Sequence, residues 1–117
     1  MKILIADDEL RLRKIVSMHL KKNGFEVYEA GNGKEAVDLA EKIKPDLIIL
    51  DINMPLMNGF EAAEKIRENE NLKELPIIFL TAKADMDSID KGKSLKAIHY
   101  LTKPFSPKDL INKIRGL

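Results

Sequence analysis

The chain has 117 residues, enough for one domain with a substantial core, and its 44% hydrophobic but only 5% aromatic content makes that core aliphatic. Charged residues make up 33% and nearly cancel to a net +1, which argues against a nucleic-acid or anionic-membrane surface as the main business of the chain. The lack of cysteine removes disulfides, thiolate metal sites and cysteine nucleophiles, and it fits a cytoplasmic compartment.

The first element is the apolar run at 3–6, ending at Asp7-Asp8; it is too short for a signal-peptide core, and no later run approaches a membrane span. A helical pattern comes next, with Leu12, Ile15, Val16 and His19 on one face and Asn23-Gly24 as its C-terminal stop. Residues 25–28 read as a second strand, and Ala36, Val37, Ala40 and Ile43 as the stripe of a second helix. Pro45 and Pro76 precede the runs at 47–50 and 77–80, so neither run is the middle of a long helix. Their near-continuous Ile and Leu is the pattern of strands covered on both faces. Between them, Gly59, Ala62, Ala63 and Ile66 form a third stripe, mostly of small residues that permit close packing. Met86 and Ile89 start a fourth helix, which Gly92 and the lysines at 91, 93 and 96 interrupt. Gly92 costs about 1 kcal/mol relative to Ala in a helix interior, so this helix is expected to be short or mobile. A fifth strand at 98–101 leads to a last helix with Ser106 as N-cap, Pro107 at its first position, and Leu110, Ile111, Ile114 and Leu117 on one face.

Strand and helix thus alternate five times. The expectation is an α/β fold, one domain over 1–117, with a five-stranded parallel sheet between two layers of helices. Such sheets carry their sites at the carboxyl ends of the strands. The residues at the strand ends are therefore informative: Asp7-Asp8 after the first, Asp51 after the third, Thr81 after the fourth and Lys103 after the fifth. The second strand ends in Glu29-Ala30-Gly31, adds nothing comparable, and is placed at the sheet edge. Three carboxylates meeting at one edge repel one another unless a cation neutralises them. Mg²⁺ is the natural cation, since it takes one or two protein carboxylates, keeps waters and leaves room for phosphate oxygens. A carboxylate can itself accept a phosphoryl group, with Lys103 balancing charge and Thr81 donating a hydrogen bond.

These residues carry a family resemblance. Asp7-Asp8, Asp51-Ile52-Asn53-Met54-Pro55, Met57-Asn58-Gly59, Thr81-Ala82 and the run from Tyr100 through Lys103-Pro104-Phe105 resemble, in order and spacing over essentially the whole chain, the receiver domain of two-component response regulators, of the chemotaxis-regulator kind. The resemblance implies a flavodoxin-like doubly wound (βα)5 fold with strand order 2-1-3-4-5. It implies that Asp51 is the phosphorylation site, that Asp7, Asp8, Asp51 and the Asn53 backbone carbonyl hold Mg²⁺, and that Thr81, Ala82 and Lys103 bind the phosphoryl group. Thr81 and Tyr100 would form the switch. The phosphoryl donor would be a histidine kinase or histidine phosphotransfer protein, with the downstream effector unspecified. A monomer or weak homodimer through the face of the fourth helix, fifth strand and fifth helix would be expected. The chain would be a phosphoryl-accepting switch that catalyses its own phosphorylation and dephosphorylation, not a conventional enzyme. Family members often have a Gly-Ala pair before the aromatic switch residue, where this chain reads Lys96-Ala97-Ile98-His99-Tyr100. Gly92 is expected to end the fourth helix earlier in its place, altering the partner-binding face. His19 and His99 are read as helix-edge and strand residues, not as phosphotransfer groups.

An Mg²⁺-dependent phosphohydrolase with an aspartyl nucleophile is the alternative, but such enzymes usually carry a second Asp two residues after the nucleophile, and here that residue is Asn53. A flavin-binding module is disfavoured because Asp7-Asp8 would repel the flavin phosphate. Asn53 and Lys83 flank the site and are expected to tune it. With no output domain after the fifth helix, a stand-alone regulator and a receiver excised from a longer regulator both remain open.

Overall fold

The computed structural model describes residues 1–82 and 86–117, the side chains of residues 86–88 excepted. The elements run β1 (Lys2–Ala6), α1 (Leu10–Lys22), β2 (Glu26–Ala30), α2 (Gly33–Ile43), β3 (Leu47–Asp51), α3 (Gly59–Glu68), β4 (Ile77–Thr81), α4 (Met86–Ser94), β5 (His99–Thr102) and α5 (Pro107–Arg115). The five strands pair in parallel in the order β2-β1-β3-β4-β5, the expected topology.

Alternate strand residues point to opposite faces and build two cores. On one face Leu4, Ile48, Leu50 and Phe79 pack against Ala36 and Ala40 of α2 and Ala62, Ala63 and Ile66 of α3. On the other, Ile3, Ile5, Ile49, Ile78 and Leu80 pack against Val16 and Leu20 of α1 and Leu110, Ile111 and Ile114 of α5. Every residue of β3 and β4 is buried, as their near-continuous aliphatic runs lead one to expect.

Helix ends follow local chemistry. Asn32 accepts from the Glu35 N–H at the start of α2. Asn58 and Glu61 exchange hydrogen bonds in a capping box at the start of α3. Ser106 caps α5, with Pro107 next to it, as expected. Gly24, at φ +89°, follows the α1 C-cap Asn23.

Five expectations shift. β2 begins at Glu26 rather than at Phe25, and β5 at His99 rather than at Ile98. The buried face of α1 is Val16, Ser17 and Leu20, whereas Ile15 is exposed, and Leu117 lies beyond α5 in solvent. Gly92 does not end α4: the helix runs on through Ser94. The chain turns instead at Lys96, which takes φ +62°, the conformation for which glycine is the usual residue. Gly92 serves packing, since a Cβ there would come within 3.0 Å of the Tyr100 ring.

Candidate functional site

The strand register sets the site. Ala6 lies opposite Leu50, so Asp7 and Asp51 each stand one residue further along neighbouring strands. Thr81 lies opposite Thr102, which places Lys103 one residue beyond Thr81. Asp7 is fully buried and Asp51 is 3% exposed, while Asp8 is in solvent. One carboxylate oxygen from each of Asp7, Asp8 and Asp51 lies within 4.8 Å of the others. Lys103 Nζ approaches Asp7 Oδ2 at 3.0 Å and Asp51 Oδ2 at 3.4 Å, with Glu9 at 4.0 Å. The other Asp7 oxygen accepts the Glu9 N–H at 2.9 Å. The structure thus brings together Asp7, Asp8, Asp51 and Lys103 from the ends of three strands.

Two buried carboxylates and one ammonium leave this pocket short of positive charge. Burial, and then the Asp7 charge, push the Asp51 carboxyl up to about 7 from 3.8, against the pull of Lys103 and of the Asn53 backbone N–H. Burial acts to lower the Lys103 ammonium, but hydrogen bonding and charge from Asp7 and Asp51 outweigh it and hold it above its ordinary value. An all-oxygen donor set with surplus negative charge fits a hard divalent cation such as Mg²⁺.

The flanking residues fall around this pocket. Thr81 ends β4, 3% exposed, and its carbonyl accepts the Lys103 N–H at 2.7 Å. Ala82 is exposed, and so is Asn53. The expectation for Lys83 lies outside the described residues. Tyr100 lies opposite Phe79 in the sheet and shares a face with Thr81 and Thr102 by strand alternation. Its ring centroid is 6.0 Å from that of Phe79, and its hydroxyl oxygen is out of contact with solvent. Gly59, read in the sequence as a small packing residue, does more. A Cβ there would fall 2.4 Å from the Asp51 carbonyl, and its N–H donates to the Ile52 carbonyl at 2.8 Å. Leu56, in the same loop, is 82% exposed at φ +67°.

Sequence reasoning passed over the end of β2. Glu29 pairs there with Arg13 at 2.9 Å and Lys14 at 3.1 Å. Partial burial would raise its carboxyl, but those cations outweigh it and lower it. The same Arg13 donates to the Asp7 carbonyl at 2.8 Å. The only sequence signal was a lone carboxylate at a strand end, facing a helix whose orientation the pattern did not fix.

The family model described as the response regulator receiver domain matches residues 3–115. The transcriptional regulatory protein SrrA of Staphylococcus aureus is 41% identical over 115 residues, which is 98% of this chain and 46% of SrrA. The chain spans about half the length of the curated relatives it matches. Among solved structures, the Vibrio cholerae chemotaxis protein CheY4 is 37% identical with a TM-score of 0.93, covering 98% of this chain and 96% of that one. A CheY-like receiver domain protein from Methanospirillum hungatei is 29% identical with a TM-score of 0.92, covering 98% and 90%.

Proposed function

The chain belongs to the response regulator receiver domain family of two-component signalling, and from that premise we propose that Asp51 accepts a phosphoryl group from a phosphohistidine on a kinase or phosphotransfer protein in an Mg²⁺-dependent reaction. The observation that carries the proposal is the meeting of the Asp7, Asp8 and Asp51 carboxylates within 4.8 Å, with Lys103 Nζ between Asp7 and Asp51.

Asp7, Asp8, Asp51 and the Asn53 carbonyl are the groups that would hold the cation. Bound there, Mg²⁺ supplies the positive charge that offsets the repulsion between this pocket and the oxygens of an incoming phosphoryl group. The Asp51 carboxylate attacks with an oxygen lone pair. An O–P bond forms as the donor P–N bond breaks, and the imidazole nitrogen keeps the electron pair and is protonated. Lys103 and the Thr81 hydroxyl bind the new phosphoryl oxygens, and exposed Ala82 leaves the approach open. Work of this kind is mostly positioning and charge neutralisation.

Movement of the Thr81 side chain to donate its hydroxyl hydrogen bond to a phosphoryl oxygen changes what the Tyr100 ring packs against, since both residues share one sheet face. That couples the site to the surface of α4, β5 and α5, the surface through which an effector or a second copy of the chain would read the signal. The reaction is a single phosphorylation with slow self-catalysed hydrolysis. The test is mass spectrometry after incubation with Mg²⁺ and acetyl phosphate. The wild type should gain the mass of one phosphoryl group, and Asp51→Ala should gain none. No gain in the wild type, or an equal gain in the variant, overturns the proposal.

A further inference from the structure

We propose that Arg13, anchored by Glu29 at the end of β2, is a positioning residue for the cation site: it fixes the main chain of Asp7 and thereby where the carboxylates of Asp7 and Asp8 stand. The inference rests on the proposed function, in which this site binds Mg²⁺.

Arg13 donates from Nε to Glu29 Oε1 at 2.9 Å and from Nη1 to the Asp7 carbonyl at 2.8 Å. Both side chains are largely buried, at 15% and 16% exposed. Glu29 is held in turn by Lys14 Nζ at 3.1 Å. Gly31 leaves space for the guanidinium, because a Cβ there would stand 3.3 Å from Nη1. The Asp7 N–H donates to the Ala30 carbonyl at 3.1 Å, so β2 holds Asp7 at one end directly and at the other through Arg13.

The Asp7 carbonyl belongs to the planar peptide unit that joins Asp7 to Asp8. Fixing that oxygen sets the plane, and with it the direction in which Asp8 leaves β1. Asp8 is the exposed member of the trio, so burial orients it less than it does Asp7 and Asp51. The guanidinium holds its donors in a rigid planar fork, one nitrogen to a carboxylate and another to a carbonyl, whereas a lysine offers its donors from one nitrogen on a flexible stem and fixes the two partners less firmly.

Charge alone makes the opposite prediction, which gives the test its sign. Arg13 is a cation beside a cation site, so deleting it should tighten Mg²⁺ binding if it acts only through its field. If it acts by positioning, deletion should weaken binding. Isothermal titration of the intact chain with MgCl₂, without a phosphoryl donor, measures this directly. We expect Arg13→Ala to weaken Mg²⁺ binding about tenfold, and Arg13→Lys, which keeps the charge, to weaken it nearly as much. Unchanged or tighter binding in Arg13→Ala, or full rescue by Arg13→Lys, overturns the inference. If circular dichroism shows Arg13→Ala unfolded, Arg13→Lys decides by the same criterion. A wild type that binds no Mg²⁺ overturns the reading of the site itself, and this inference with it.

Discussion

Asp51 lies beside a second buried carboxylate, and one ammonium is too little to neutralise both. Its carboxyl titrates near 7 in the folded chain against 3.8 when unfolded. The folded state therefore holds a proton that the unfolded state has lost between those values, so stability falls as pH rises from about 4 to about 7 and stays reduced above. Asp51→Asn removes the penalty. In chelator at pH 8 the variant should be more stable than the wild type by about 2 kcal/mol, allowing for solvent at the mouth of the site. The gap should close as pH falls toward 4. Urea unfolding across this range measures it, and a pH-independent gap would count against the assigned titration. The residues behind this behaviour were legible because the change from Ile and Leu to a carboxylate marks a strand end in a buried parallel sheet. Arg13 and Glu29 were not legible. Their contact spans sixteen positions and depends on how α1 is rotated, and α1 turns Val16, Ser17 and Leu20 inward while leaving Ile15 in solvent.

Two element boundaries carry more than chain reversal. α3 starts so close to β3 that Gly59 stands against the Asp51 and Ile52 main chain. Gly59→Ala must move that backbone. It should cost about 2 kcal/mol in thermal or urea unfolding and slow acetyl phosphate labelling about tenfold; a variant with wild-type labelling would show that the loop yields without moving Asp51. At the end of α4, Lys96 adopts φ +62° while Arg67 donates to the carbonyls of Leu95 at 2.8 Å, Leu75 at 2.7 Å and Lys73 at 3.1 Å. This guanidinium ties α3 to the ends of two other segments and holds the turn despite the strained residue. Lys96→Gly relieves the strain without touching those carbonyls, so it should raise stability by about 0.5–1 kcal/mol, read from the urea midpoint. The strands β3 and β4 were readable from their proline-bounded aliphatic runs. The end of α4 was not, because the sequence puts its glycine where Tyr100 packs and a lysine where the chain turns.

Over the whole molecule, the topology and the site are one fact: parallel strands in the order β2-β1-β3-β4-β5 put every carboxyl end on one edge. The alternation of runs made a parallel sheet expected and the family resemblance implied its order, and strand register then brought Asp7 and Asp51 level. A cation held at that edge binds the folded chain alone, so Mg²⁺ should raise global stability by an amount that grows with the logarithm of its concentration, about 2.7 kcal/mol at one hundred times the dissociation constant. The proton on Asp51 competes for the same oxygens. With that carboxyl near 7, the thermal shift produced by a fixed Mg²⁺ concentration should be small at pH 6, rise through pH 7 and level off by pH 8. Asp51→Asn should show a weak shift with little pH dependence over the same range, because its amide has no proton to lose. Equal Mg²⁺ shifts at pH 6 and pH 8 in the wild type would mean that the cation is held elsewhere, or that Asp51 is already ionised without it.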